Sequence, residues 1–298
     1  MKKQEYIKAI AVAVVCLFVA TSCSESEDGA IAESGIQTIS LSPTLEVVEG
    51  ASDLTSLIYT DQSLIVFGWL TADGSLVVMG DDYRYNGLYW ATNGGATYAD
   101  QVSEHTLFGY VTGSDADCDN YKAIEYNYGD GDLLYTLATT TPQKEAVVTP
   151  LKHVVAQLSV EFQFEDFRKD EVVKFSIPYL YKSAVLNLTT TPAVYDTSSS
   201  DMMELNKSYT ATADIVSASF STLLLPQSIS AINVSVYDSV TTITPDVPIE
   251  LVAGERCSIV INVKKNPLVE VTMGSVSVKP WDYDSATDVT ISDPIVIE

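Results

Sequence analysis

The chain reads as an all-β protein made of two antiparallel β-sandwich domains. Apolar residues recur at every second position in several segments, polar turns separate those segments, and no long stretch carries the 3.6-residue period of an amphipathic helix. Half-wet strands without crossover helices favour antiparallel sandwiches over a parallel α/β sheet.

The amino terminus stands apart from that pattern. Lys2, Lys3 and Lys8 precede an apolar run from Ala9 to Ala20, shorter than the roughly 20 residues a membrane-spanning helix needs. A basic end, a short apolar core and small residues mark residues 1–22 as a secretory signal. "ATSC", ending at Cys23, resembles a bacterial lipobox, which implies removal of residues 1–22, acylation of Cys23 and attachment to the outer membrane through that lipid. Residues 23–35, "CSESEDGAIAESG", are small and acidic with little to bury, and read as a flexible tether.

The first domain is expected over residues 36–149. "IQTISLSPTLEVV" is its candidate first strand. "SLIVFGWL" and "SLVVMG" follow as a hairpin around "TADG", where Asp73-Gly74 suits a tight turn. "TTTPQKEAVVTP", with Pro142 and Pro150 at its ends, is the candidate boundary. The second domain, 150–298, alternates more regularly. In "HVVAQLSVEFQF" the residues Val154, Ala156, Leu158, Val160, Phe162 and Phe164 share one parity, and His153, Gln157, Ser159, Glu161 and Gln163 the other, which is expected to be wet. "AINVSV", "SIVINV" and "GSVSVKPW" repeat the pattern, the last adding Val276 and Val278 before Pro280.

Charge and composition remove several functions. The 298 residues hold 16 Lys and Arg against 40 Asp and Glu, a formal charge of −24. Losing residues 1–22 removes three Lys and one Glu, which deepens the charge to about −26. Such a surface repels nucleic acid and anionic lipid. Two histidines leave little for a zinc or histidine-based active site. No nucleophile elbow or phosphate-binding glycine loop is present, so no catalytic residue and no cofactor is expected, and the chain reads as a non-enzyme.

Two features could carry chemistry. Asp115, Asp117 and Asp119 open like a calcium loop, but Asn120 stands where Gly is usual and Glu125 falls one place short of the closing ligand, so a solvated acidic loop is the expectation and no metal site is assigned. Tyr83, Tyr85, Tyr89, Trp90 and Tyr98, with Asp82, Asn86 and Gly87, fit either core packing or a surface that stacks on glycan rings or a host protein. His153 and Trp281 read as packing residues, and Pro226 and Gly254 as turn formers. Beyond the signal only Cys118 and Cys257 accompany Cys23, too few for a disulfide scaffold, and two buried or half-buried thiols are expected.

Several segments resemble one family in order. "DLLYTLATT", "PLKHVVAQLSVEF", "STLLLPQSI", "LVAGERCSIVINV" and "VSVKPWDYD" are similar to the motifs of the Bacteroidales fimbrillin superfamily, from Asp132 to Asp284. The resemblance implies two transthyretin-like sandwiches and a cell-surface fimbrial subunit that joins other subunits by β-strand complementation. The acidic run behind Cys23 is similar to the signal that sends such lipoproteins to the outside of the outer membrane. Stalk subunits of that family lose their first strand to an Arg- or Lys-specific protease. Here residues 24–83 contain no Lys or Arg, and Arg84 is the first basic residue after the signal. A lipid-anchored base or other non-cleaved subunit is therefore expected, with a stalk or tip subunit and a glycan-binding surface lipoprotein as the other readings.

Overall fold

The computed structural model describes residues 37–45, 63–85, 90–92, 95–111, 114, 116, 118, 120–166, 170–210, 217–237, 239–265 and 269–280. Among them every regular element is a β-strand. The first eight are β1 (Leu41–Leu45), β2 (Leu64–Leu70), β3 (Leu76–Tyr85), β4 (Trp90–Thr92), β5 (His105–Val111), β6 (Ile124–Asn127), β7 (Leu134–Thr140) and β8 (Val147–His153). All but β6 close into a barrel in the order β1-β4-β3-β2-β5-β7-β8.

The expected hairpin at Asp73-Gly74 joins β2 to β3. Gly74 sits at φ 73°, the left-handed region that glycine enters without a side-chain clash, and its N–H donates to Leu70 O at 2.9 Å. Asp73 accepts from Ser75 N–H at 2.8 Å and holds the return of the turn. The barrel interior takes Leu64, Val66, Val78, Tyr83, Trp90, Leu107, Val147 and Leu151 in one buried cluster. It is narrow: a Cβ on Gly68 would lie 3.0 Å from Leu107 Cδ2 and 3.1 Å from Val78 Cγ2. Leu107 of β5 and Val78 of β3 occupy the space that a side chain on β2 would need there.

Closure of this barrel differs from the open antiparallel sandwich expected for the first half. β1 lies antiparallel to β4 at Leu41–Trp90 but parallel to β8, from Leu41–Val147 to Leu45–Leu151. The stretch around Pro142 to Pro150 supplies the β7–β8 connection and most of β8. The chain then bends at Val154–Val155.

The remaining strands are β9 (Ala156–Glu165), β10 (Val172–Tyr181), β11 (Ser183–Asn187), β12 (Val194–Asp196), β13 (Met202–Thr210), β14 (Ser217–Leu224), β15 (Gln227–Ile229), β16 (Ile232–Val236), β17 (Ser239–Ile243), β18 (Ile249–Leu251), β19 (Glu255–Lys264) and β20 (Glu270–Pro280). Two four-stranded sheets, β13-β10-β16-β17 and β14-β9-β19-β20, share one apolar core. Ala156, Leu158, Val160, Phe162 and Phe164 are all buried, as their parity requires. Phe162 meets Phe175 of the other sheet edge-on, with ring centroids 5.5 Å apart. Gly254 forms the turn into β19 at φ 77°, as expected.

Three details depart from the sequence reading. β9 and β19, central in their sheet, run parallel. The chain between them passes through the opposite sheet, so a sandwich makes this crossover without a helix. Gln157 and His153, placed on the wet parity, are 6% exposed each, and their partners are Arg256 of β19 and Asp132 of the loop before β7. Val276 and Val278 of β20 are 39% and 47% exposed although they share a face with the core.

A third apolar cluster joins the two halves. Phe108, Ile124, Tyr126, Leu133 and Tyr135 pack with Val154, Val155, Ala184, Leu186, Leu188 and Leu225. β6 contributes by pairing with β11, from Asn127–Ser183 to Ile124–Leu186. The Tyr195 hydroxyl closes this seam by donating to Val154 O at 3.0 Å.

Candidate functional site

The most informative site is the strand that closes the barrel. β1 and the residues just before it hold their place by both backbone and side chain. Ile39 N–H donates to Ala96 O at 2.8 Å, Tyr98 N–H to Gln37 O at 3.0 Å, and Val147 N–H to Ser40 O at 2.8 Å. Ile39 and Leu41 are 2% and 1% exposed and pack among Leu64, Tyr83, Trp90, Tyr98, Val147 and Leu151. The Tyr83 hydroxyl reaches Ile39 O at 3.4 Å, and burial, helped by Asp81, pushes its pKa up, so it stays a donor. Without this segment the barrel would expose unpaired amides on β8 and an apolar groove at once. The arrangement is chemically a seat for one extended strand.

Aromatic residues singled out in the sequence line that seat. Tyr83, Trp90 and Tyr98 are 0%, 2% and 1% exposed, so they belong to the core and present no face to a sugar ring. Tyr85 has no described side chain, and Asn86, Gly87 and Tyr89 lie outside the described residues. At Tyr83, Trp90 and Tyr98 the core-packing reading holds.

Cys23, with the signal and tether, lies outside the described residues, as do Asp115, Asp117, Asp119 and Trp281. Among the described residues no three His, Cys, Asp or Glu side chains gather to hold a metal. Cys118 and Cys257 are thiols outside any disulfide, half-buried and buried respectively. His153 is a packing residue with a partner the sequence did not reveal, since its Nδ1 lies 2.6 Å from Asp132 Oδ2.

The sequence reading also missed an aromatic layer outside the barrel. Tyr121 stacks on Phe67 at 4.3 Å between centroids, with Trp69 and Phe108 at 6.2 and 6.1 Å. "SLIVFGWL" and "HTLFGYV" are apolar on both parities, which is the signature of strands covered on both faces.

A barrel closed by its own first strand, paired on both sides, defines an all-β protein built around strand completion. Residues 60–281 match the fimbrillin-like family, and the chain belongs to that family. No curated protein sequence matches it. Solved structures agree on the fold. A candidate cell adhesion protein from Bacteroides ovatus superposes with a TM-score of 0.56 at 19% identity, over 83% of this chain and 99% of that one. A fimbrial protein from Bacteroides vulgatus gives 0.52 at 13%, over 83% and 100%. A candidate cell adhesion protein from Bacteroides uniformis gives 0.51 at 14%, over 82% and 98%.

Proposed function

We propose that the chain is a cell-surface fimbrial subunit, held in the outer membrane through acylated Cys23, that joins other subunits by β-strand complementation from the base or another non-cleaved position. The observation that carries this reading is the seat of β1, in which Ile39 and Leu41 are buried and the backbone pairs on both sides. A strand that completes a barrel supplies hydrogen bonds and apolar burial together, which is what a complementing strand must do. In this chain the seat is filled by its own strand, and residues 24–83 offer no Lys or Arg to a basic-specific protease. An uncut first strand fits an anchor better than a repeating stalk unit.

Two domains, 36–149 and 150–298 with transthyretin-like character, form part of this proposal. Support comes from the barrel and sandwich cores, which have no residue in common. β8 itself sits with the barrel, so the bend at Val154–Val155 is where the hand-over is best sought.

Purified surface filaments test the proposal. Mass spectrometry of this subunit should find a mature terminus at acylated Cys23, and Cys23→Ala should lose labelled palmitate and leave the membrane. A mature terminus between Glu46 and Gly68 in assembled filaments would restore the stalk reading.

A further inference from the structure

β20 is an edge strand whose core-facing side chains lead out into solvent. In its sheet, Val278 stands beside Cys257 and Val276 beside Ile259, both partners 1% exposed. One strand further out, the same rows are 47% and 39% exposed. Val271 and Met273 continue the row and are partly buried against the sandwich core. Among the described residues nothing pairs with the outer edge of β20.

The sequence of β20 is complementary to its own reverse. Its ladder to β19 shifts register between Ile259 and Ile261, so Val271, Met273, Val276 and Val278 all share the core face despite their mixed parity. Gly274 lies within that shift: a Cβ there would meet Asn262 Nδ2 at 3.1 Å and Val260 Cγ1 at 3.3 Å, on the opposite face. If a second β20 is laid antiparallel about a two-fold axis between Gly274 and Ser275, Val271 meets Val278 and Met273 meets Val276 on the core face. On the other face Thr272 meets Ser277, and Glu270 meets Lys279. Each contact occurs twice by symmetry.

The charges favour this register. Lys279 has Arg256 as its neighbour within the sheet, a like charge, whereas Glu270 has Lys264. A Glu270 from a second copy would give Lys279 the opposite charge that its own sheet withholds. We propose that β20 is a self-recognition edge, where two copies of this chain join their β14-β9-β19-β20 sheets into one continuous eight-stranded sheet.

The test is sedimentation velocity of the full-length chain in mild detergent at about 0.15 M salt, which screens the long-range repulsion between two acidic copies. The unmodified chain should show a concentration-dependent dimer. Glu270→Lys and Lys279→Glu each place like charges opposite one another twice and should each weaken the dimer by about tenfold. An equimolar mixture of the two variants restores both opposite-charge pairs and should recover a one-to-one dimer. Both positions are exposed, so thermal melting of each variant should match that of the parent. A chain that stays monomeric at every concentration, as it would if its own residues 281–298 covered β20, overturns the inference. A dimer that neither variant weakens, or that the mixture fails to restore, overturns it equally.

Discussion

His153 Nδ1 and Asp132 Oδ2 lie 2.6 Å apart, with side chains 4% and 12% exposed, and so tie the end of β8 to the loop before β7. The pair works beside the third apolar cluster, where Leu133 and Val154 are each 0% exposed. Val154 N–H also donates to Leu133 O at 3.0 Å, so backbone and side chains reinforce one crossing. Removal of either side chain leaves the other polar group in a dry place. His153→Ala and Asp132→Ala should each cost about 2 kcal/mol in urea unfolding. A double-mutant cycle should find the two losses far from additive.

Parity along β9 gives a second prediction. Leu158→Asp puts an unpaired carboxylate into the sandwich core and should prevent folding of the β9–β20 region, because the cost is several kcal/mol. Glu161→Gln lies on the wet parity and should change stability by less than about 0.5 kcal/mol. Gln157 shares the parity of Glu161 but accepts from Arg256 Nε at 2.6 Å, so Gln157→Ala should cost about 1–3 kcal/mol. Urea midpoints of the three variants would rank them.

The loop from Tyr98 to His105 should carry acid sensitivity. Asp100 accepts from the Ser103 hydroxyl at 2.5 Å and from the N–H groups of Ser103 and Val102 at 2.6 and 2.9 Å. These bonds, the Ser103 hydroxyl first, lower its pKa to about 2. A carboxylate with a depressed folded pKa stabilises fully above its unfolded value, near 3.9, and loses that contribution as pH falls through about 2. Asp100→Ala should therefore lower the melting temperature by a constant amount above about pH 5, and the gap should close toward pH 2.

The two described cysteines should differ in reactivity. Burial raises the Cys257 thiol to about 11, so thiolate is scarce at neutral pH and the sulfur is also covered. The stability gained by keeping it a thiol is present below the unfolded value and is lost as pH rises toward 11. Iodoacetamide at pH 8 should alkylate Cys118 in the folded protein and reach Cys257 only in denaturant. Peptide mass spectrometry would read both sites separately.

The parts of the fold that were legible are those set by local pattern. Alternation alone located β9, β16 and β19, and Asp73-Gly74 located the β2–β3 turn, because a strand's faces and a turn's φ angles are short-range demands. The family motifs in the second half followed the same strands. Barrel closure was not legible, since Leu41 and Val147 are neighbours only in space and leave no periodic trace. The burial of His153 and Gln157 was hidden for a related reason: Asp132 and Arg256 decide it, and neither lies on the same strand. The rings of Tyr83, Trp90 and Tyr98 were ambiguous because composition cannot say whether an aromatic strand points into a barrel or out of it.

The parallel pairing of β9 with β19 has a consequence for how the molecule comes into being. Gln157 bonds Arg256 and Glu165 bonds Lys264, each across 99 positions of chain. Loop closure of that length is an entropic debt that local contacts cannot repay early, so folding should be slow for a domain of this size. The β9–β19 pairing cannot form until synthesis has reached β19, and before then β9 has only β14 to pair with in its sheet. A chain exported as a thread would gain time from that delay, since the centre of this sheet waits on one of its last strands.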